Sequence, residues 1–329
     1  MIGSRSTPVI SVQNLVVKIP TSEGFSTIVD GVDFEIQGGR VFGIAGESGS
    51  GKTISMRALL GLLPDGCVVT GKAIFDGRNL LELGPSALQR IRGRALALVQ
   101  QDPTTTFHPM LSIEQQMTDH LRYHLGLSRP DARSRALQLL REMRIPDPAG
   151  ALAAYPHQFS GGMLQRIAIA SAISCEPKVL IADEPTTGLD VTVQAGVLKL
   201  LDDLRRERDL TIVLITHDLG VMAAMADTIA VLYAGRVAET GTTEQVLTKT
   251  RHPYTKALLD ALPKSESSQR KLTPIPGTAA TAGDPPPGCA FHPRCRFARG
   301  SCSVNKPALL KAEEGHFHAC TVDPFYSAV

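Results

Sequence analysis

The 329-residue chain has no tryptophan, and aromatic residues of all kinds make up only 5% of it. Platforms on which nucleobases could stack in series are therefore scarce. Neither sign of charge dominates: 34 Lys and Arg stand against 32 Asp and Glu, a formal net charge of +2. Such a balance leaves no electrostatic footprint for nucleic acid as the main partner. Uncharged apolar runs such as Ile167–Cys175 are short, far below the roughly 20 residues that span a bilayer as a helix. The first residues, MIGSRSTPVI, lack the charged start and apolar stretch of a secretory signal. A chain kept in the cytosol is expected, and six cysteines there do not read as a disulfide framework. With 43% apolar and 20% charged residues, a sizeable core is available and wholesale disorder is excluded.

What is present reads as alternation of strand and helix. Val9–Val17, Asp33–Gln37, Arg40–Ala45, Gly71–Asp76 and Leu96–Gln100 have β-branched or buried-strand texture, with a helix over Thr53–Leu62. Between about Met110 and Ala153 the β-branched runs vanish, and leucines recur at helical spacing in Ser112–Leu125 and Asp131–Met143. This is the texture of an inserted helical subdomain. Alternation then resumes: strand Val179–Ala182, helix Val191–Glu207, strand Thr211–Ile215, helix Leu219–Ala226, strand Thr228–Tyr233. Helices of this length between strands imply right-handed crossovers and a largely parallel sheet, an α/β fold.

Gly46–Thr53 reads GESGSGKT, placed after a strand and before a helix. This is the full phosphate-loop pattern. Its glycines let backbone N–H groups and a helix N-terminus face phosphates, Lys52 reaches the β- and γ-phosphates, and the Thr53 hydroxyl ligates Mg²⁺. A second acidic pair ends the run VLIADE, with Asp183 at the carboxyl end of a buried strand, where ligands of open α/β sheets bind. Asp183 suits Mg²⁺ held through water, and Glu184 is placed to polarise an attacking water as general base. An isolated Asp-Glu pair would otherwise read as a helix cap followed by a solvated acid.

Further along stand FSGGM at Phe159–Met163, QQDP with Gln101, and ITHD at Ile215–Asp218. The order and spacing of these five motifs resemble the ATP-binding cassette ATPases over nearly the whole chain. The resemblance implies a P-loop ABC-ATPase fold with an inserted helical subdomain, and ATP and Mg²⁺ as ligands. It implies that Gly46, Glu47, Ser48, Gly49, Ser50, Gly51, Lys52 and Thr53 bind phosphates, and that Gln101 senses Mg²⁺ and the γ-phosphate. It also implies that Ser160, Gly161 and Gly162 cap the nucleotide of an opposite subunit, that Asp190 lies in the loop crossing that dimer, and that His217 contacts the γ-phosphate. Phe159 stands where relatives have Leu, and His108 receives no role. Phe25 is the nearest upstream aromatic for an adenine, with a core or loop role equally open.

From Lys264 the composition turns to Ser, Pro and Gly, including PIPGTAATAGDPPPG, the texture of a linker or irregular tail. RHPYTKALLDALP at Arg251–Pro263 and GCAFHPRC resemble the segment that marks ATPases of dipeptide, oligopeptide and nickel importers. Cys289, Cys295, Cys302 and Cys320 lack the tight knuckle of zinc sites. Four looser cysteines suit a [4Fe–4S] cluster, and the resemblance implies one. Zinc and unligated thiols remain the alternatives, with His292, His316 and His318 read as packing or surface residues. Cys67 and Cys175 read as packing thiols.

The expected division is an ATPase domain over 1–250, with a helical subdomain at about 110–173, and a small irregular Cys-rich region over 251–329. The implied role is ATP hydrolysis powering di- or oligopeptide import from the cytoplasmic face of the cell membrane. The implied partners are two transmembrane permease subunits, a second ABC ATPase and an extracytoplasmic peptide-binding protein. The alternatives are nickel or another small solute as cargo, a soluble cassette ATPase of DNA repair or translation, and a regulatory cassette.

Overall fold

The computed structural model describes residues 7–262, 274–322 and 325. In chain order it places β1 (Ile10–Thr21), β2 (Gly24–Ile36), β3 (Val41–Ala45), α1 (Lys52–Leu59), β4 (Val68–Phe75) and β5 (Arg78–Asn79). These are followed by α2 (Pro85–Ile91), β6 (Leu96–Val99), α3 (Pro103–Thr106), α4 (Ile113–Leu125), α5 (Arg129–Glu142), α6 (Pro148–Ala153) and α7 (Gly161–Ala172). The chain continues with β7 (Val179–Asp183), α8 (Val191–Arg208), β8 (Thr211–Thr216), α9 (Leu219–Met225), β9 (Thr228–Tyr233) and β10 (Arg236–Thr242). It ends with α10 (Thr243–Thr248), α11 (Pro253–Asp260), β11 (Leu310–Glu313) and β12 (His316–His318). These elements fall into two compact units, one of residues 1–37, 41–83 and 215–329, the other of 38–40 and 84–214.

In the first unit β1 and β2 form a long antiparallel hairpin, in register from Ile10 opposite Ile36 to Thr21 opposite Gly24. β4 pairs with the other edge of β1, Val12 opposite Ala73, and β5 with β4. Ile10, Val12, Leu15 and Val17 of β1 are buried, as are Val29, Val32, Phe34 and Ile36 of β2. This is the one-sided burial that alternation supports. The sequence reading expects a largely parallel sheet, and this separate antiparallel one corrects it. Much of β2 is half-exposed and polar, so only its apolar end carries a strand signal; its first half is held by pairing with β1.

β3 is different. All five residues of VFGIA are buried, as expected of a strand covered on both faces, and it runs parallel to β9 with Phe42 opposite Thr228. β9 turns back into β10 through Ala234 and Gly235, with φ of 45° and 81°, the paired positive dihedrals of tight hairpin turns. β10 then accepts β12, Glu239 opposite His318, and β12 accepts β11. The expected irregular tail is thus partly built into the sheet. The signal was absent because β12 is only three residues, His-Phe-His, and its partner lies far back in the chain. Turns and 3₁₀ segments carry Cys289–Ser303, while the first part of the expected linker, Lys264–Thr273, lies outside the described residues.

In the second unit β6 and β7 are parallel, Leu96 opposite Val179, and β8 begins beside β7, where Thr211 N donates to Lys178 O at 3.1 Å. The helices α4 to α7 pack through Ile113, Met117, Leu121, Ala136, Leu139, Leu152 and Ile167, all buried. The starts of α4 and α5 are capped by Ser112 and Ser128, which accept from Gln115 N and Asp131 N. Among the described residues no helix is long and apolar enough to cross a membrane.

Candidate functional site

The loop Gly46–Gly51 joins the end of β3 to the start of α1. Gly46, Gly49 and Gly51 have φ of 148°, 77° and 97°, backbone that L side chains rarely adopt. At Gly46 a Cβ would also stand 2.3 Å from Leu232 O. Gly51 caps α1 without a side chain, so the first helical N–H groups have no side-chain oxygen competing with an anion. The buried Ser50 hydroxyl finds no hydrogen-bond partner in the protein, although Ser50 O accepts from Gly235 N at 3.0 Å. Lys52 Nζ donates to Gly46 O and to Glu47 O, both at 2.8 Å, which places an ammonium across the loop. Glycine dihedrals, a helix N-terminus and a buried lysine together make an anion cradle. Thr53 follows Lys52 in the first turn of α1. Ser48 and Gly49 are exposed on the loop.

Two residues to which the sequence gives no site role also reach this loop. Glu47 N donates to the Tyr254 hydroxyl at 2.9 Å. Its carboxylate receives Arg294 in a two-pronged ion pair, Nη1 to Oε2 at 2.7 Å and Nη2 to Oε1 at 3.0 Å. Arg294 lies 247 positions downstream, so no local pattern could have announced the contact. In the same unit His217 is exposed just beyond β8, and the next residue, Asp218, caps α9 by accepting from Gly220 N and Val221 N. Phe25 is exposed in the β1–β2 hairpin, which removes the core reading for it.

The second unit brings Gln101 and Glu184 together. The parallel neighbours β6 and β7 end side by side, and Gln101 Nε2 donates to Glu184 Oε2 at 3.1 Å. Thr187 Oγ1 donates to the same oxygen at 2.9 Å. Glu184 takes φ of 45°, an uncommon conformation for a non-glycine residue, just after Asp183, which closes β7 and is buried. Asp102 caps α3, and its hydrogen bonds from Thr104, side chain first and then backbone, hold its carboxyl below the usual range.

Ser160 caps α7, its Oγ accepting from Met163 N at 3.4 Å. A Cβ on Gly162 would stand 2.5 Å from Val193 Cγ1, so this glycine lets the start of α7 approach α8. Gly161 is open to the side, with Leu189 its nearest neighbour at 3.7 Å. Asp190 caps α8 through Thr192 N at 3.1 Å and Val193 N at 2.9 Å.

Thr53, Gln101 and Asp183 are hydroxyl, amide and carboxylate donors, all hard oxygen ligands of the kind Mg²⁺ takes alongside its waters. Among the described residues no three His, Cys, Asp or Glu side chains converge on a position for a single metal ion. Cys289, Cys295, Cys302 and Cys320 are half-buried thiols, not disulfides. Cys289 N donates to Cys302 O at 2.8 Å, and Arg299 N approaches Cys302 Sγ at 3.4 Å. Burial pushes the Cys289 and Cys295 thiols up, and the charges of the other cysteines in the group push the same way. The thiols are therefore electrostatic neighbours, but among the described residues they do not form a group that could hold a metal ion.

His316 is committed to an acid in the sheet. His316 is fully buried with Nε2 2.8 Å from Glu239 Oε1, and Glu239 also accepts from Arg251 N at 2.7 Å and His252 N at 3.0 Å. This buried acid ties β10, β12 and the start of α11 together.

Residues 29–187 match the family described as ABC transporter, and residues 238–302 match the oligopeptide/dipeptide transporter C-terminal region. The chain is similar to the oligopeptide transport ATP-binding protein OppD of Haemophilus influenzae, 42% identical over 95% of this chain and 97% of that one. It is similar to the dipeptide transport ATP-binding protein DppD of Bacillus subtilis, 43% identical over 95% and 94%. Among solved structures it resembles the dimeric, post-hydrolysis state of the ATP-binding cassette MJ0796 bound to ADP and Pi. There the TM-score is 0.64 at 26% identity, over 71% of this chain and 98% of that one.

Proposed function

Since the chain belongs to the ABC transporter family, with its P-loop ATPase fold, we propose that it is the ATP-hydrolysing subunit of a di- or oligopeptide importer. The observation that carries the reading is the phosphate loop, a glycine-shaped cradle at a helix N-terminus with Lys52 lying across it. The match of residues 238–302 to the peptide-transporter region supports the cargo class.

In this reading Gly46–Thr53 bind the triphosphate, and Lys52 neutralises charge that builds on the β- and γ-phosphates. Thr53, Gln101 and Asp183 would hold Mg²⁺, which supplies charge neutralisation to the phosphates when bound. Glu184 accepts the proton of the attacking water, and Gln101 and Thr187 hold its carboxylate through Oε2. His217 contacts the γ-phosphate. Ser160, Gly161 and Gly162 close over nucleotide held by a second ATPase subunit, and Asp190 lies in the crossing loop.

The 1–250 segment acts as ATPase domain, with its helical part at about 110–173, and 251–329 as the peptide-transporter-type region. Met110 and Leu111 are apolar and exposed shortly after Gln101, which suits contact with a permease at the cytoplasmic face of the membrane. An extracytoplasmic binding protein would deliver the peptide. Cys289, Cys295, Cys302 and Cys320 would hold a [4Fe–4S] cluster as a staple for a proline-rich region with little core of its own.

The test is transport by the whole complex in vesicles with ATP enclosed, offering labelled peptides and Ni²⁺ in separate arms. ATP-dependent peptide uptake is expected; uptake of Ni²⁺ alone would overturn the cargo reading. Iron and sulfide analysis of anaerobically purified protein is expected to find them in equal amounts, and zinc in their place would overturn the cluster.

A further inference from the structure

Glu47 poses an electrostatic problem. It is the second residue of a loop that receives phosphate anions, yet it carries a carboxylate. Like charge at close range in a partly desolvated loop opposes the ligand. The structure places a counter-charge on that carboxylate from the far end of the chain. Arg294 is almost fully buried, its side chain 5% exposed against 27% for Glu47.

All three guanidinium nitrogens are committed. Nη1 and Nη2 take the two oxygens of Glu47, Nε donates to Pro276 O at 2.9 Å, and Nη1 also reaches the Tyr233 hydroxyl at 3.3 Å. Planar two-pronged pairing of this kind fixes geometry as well as charge. The platform beneath it is buried. Tyr233, Tyr254 and Phe291 form an aromatic trio with ring centroids 4.5, 5.4 and 5.3 Å apart. The guanidinium carbon sits 6.0 Å from the Tyr233 ring and 5.9 Å from Phe291. The same trio supplies the Tyr254 hydroxyl that accepts from Glu47 N. Both the side chain and the backbone of Glu47 are therefore held by residues after β8.

Building on the ATP-binding reading above, we propose that Arg294 is a positioning residue of the nucleotide site. It neutralises Glu47 and holds it off the phosphates, so that the C-terminal region sets the affinity of the phosphate loop for nucleoside triphosphates.

The test is a charge cycle in the full chain, with ATP, ADP and AMP binding measured by calorimetry. Arg294→Met leaves the Glu47 carboxylate unbalanced and is expected to weaken ATP by about tenfold, ADP less and AMP least, with the loss shrinking as salt is raised. Glu47→Gln leaves the guanidinium unbalanced and is expected to tighten ATP by roughly two- to threefold. The double variant, neutral at both positions, is expected to return within about twofold of the parent. A merely structural role would weaken ATP and AMP alike, and the double variant would not recover; either result overturns the inference. Should Arg294→Met fail to fold, Glu47→Gln decides, and no tightening overturns the inference. A parent that binds no ATP would overturn the ATP-binding reading itself, whereas a parent that binds ATP with affinity unchanged in Arg294→Met overturns this inference alone.

Discussion

At the scale of single residues the chemistry concentrates on Glu184. Its carboxylate takes one hydrogen bond from Gln101 and one from Thr187 on the same oxygen, Oε2. Replacement by Gln keeps an oxygen that can accept both, so the local geometry survives while the capacity to take a proton from water is lost. Glu184→Gln is therefore expected to slow ATP turnover in the assembled complex by roughly 10²–10⁴ while nucleotide still binds. Phosphate release measured beside nucleotide affinity checks this, and hydrolysis at the parental rate would remove Glu184 from the role of base. Lys52 has the opposite character. It lies within the cradle and bonds two loop carbonyls, so its replacement is expected to lower affinity as well as rate.

At the scale of elements, what was legible depended on how local the cause was. VFGIA, VLIAD and TIVLIT are buried throughout, so unbroken apolar runs announced them. The helices α4 and α5 were legible from leucine spacing and α8 from its amphipathic pattern, and the structure adds their caps at Ser112, Ser128 and Asp190. The first half of β2 and all of β12 were not, because their residues become strand only through partners supplied by β1 and β10. The candidate site follows the same rule. GESGSGKT, ADE and SGG are contiguous and were readable, whereas Arg294 and Tyr254 reach Glu47 only through the fold. Helix α4 carries a prediction of its own. Its His120 and His124 rings lie edge to face, 4.7 Å between centroids. Burial, and then His124, pushes His120 down to about 4, and burial followed by Arg94 lowers His124. Both are neutral in the native protein near pH 7, while the unfolded chain takes up their protons from about pH 6.5 downward. The stability they allow is whole above pH 6.5 and is lost as pH falls, for His120 until about pH 4. His120→Phe keeps a ring against Gly93 and removes the titration, so between pH 7 and pH 5 it is expected to lose about 1–2 kcal/mol less stability than the parent. Urea unfolding at the two pH values checks this, and equal losses would place the proton uptake elsewhere.

At the scale of the whole molecule the argument concerns completeness. The first unit carries a phosphate cradle. The second carries Ser160 and Gly161 at the start of α7, where the serine caps the helix and the glycine is open at its side. A helix start with small residues around it is a second place to receive an anion. In the composite-site reading each chain supplies such a start to nucleotide on a partner cassette, so hydrolysis is a property of a pair. Activity then follows mass action. For the isolated chain, turnover per chain is expected to fall in proportion to concentration on about hundredfold dilution, once the pair begins to dissociate. Adding the partner cassette at constant concentration is expected to restore it. Ser160→Arg, which fills the helix start with a bulky side chain, is expected to abolish stimulation of the partner while leaving nucleotide binding to the phosphate loop of the same chain in place. Phosphate release across the dilution series, with and without the partner, makes the measurement. Turnover per chain that stays constant down the series, with no response to the partner, would show that one chain completes its own site.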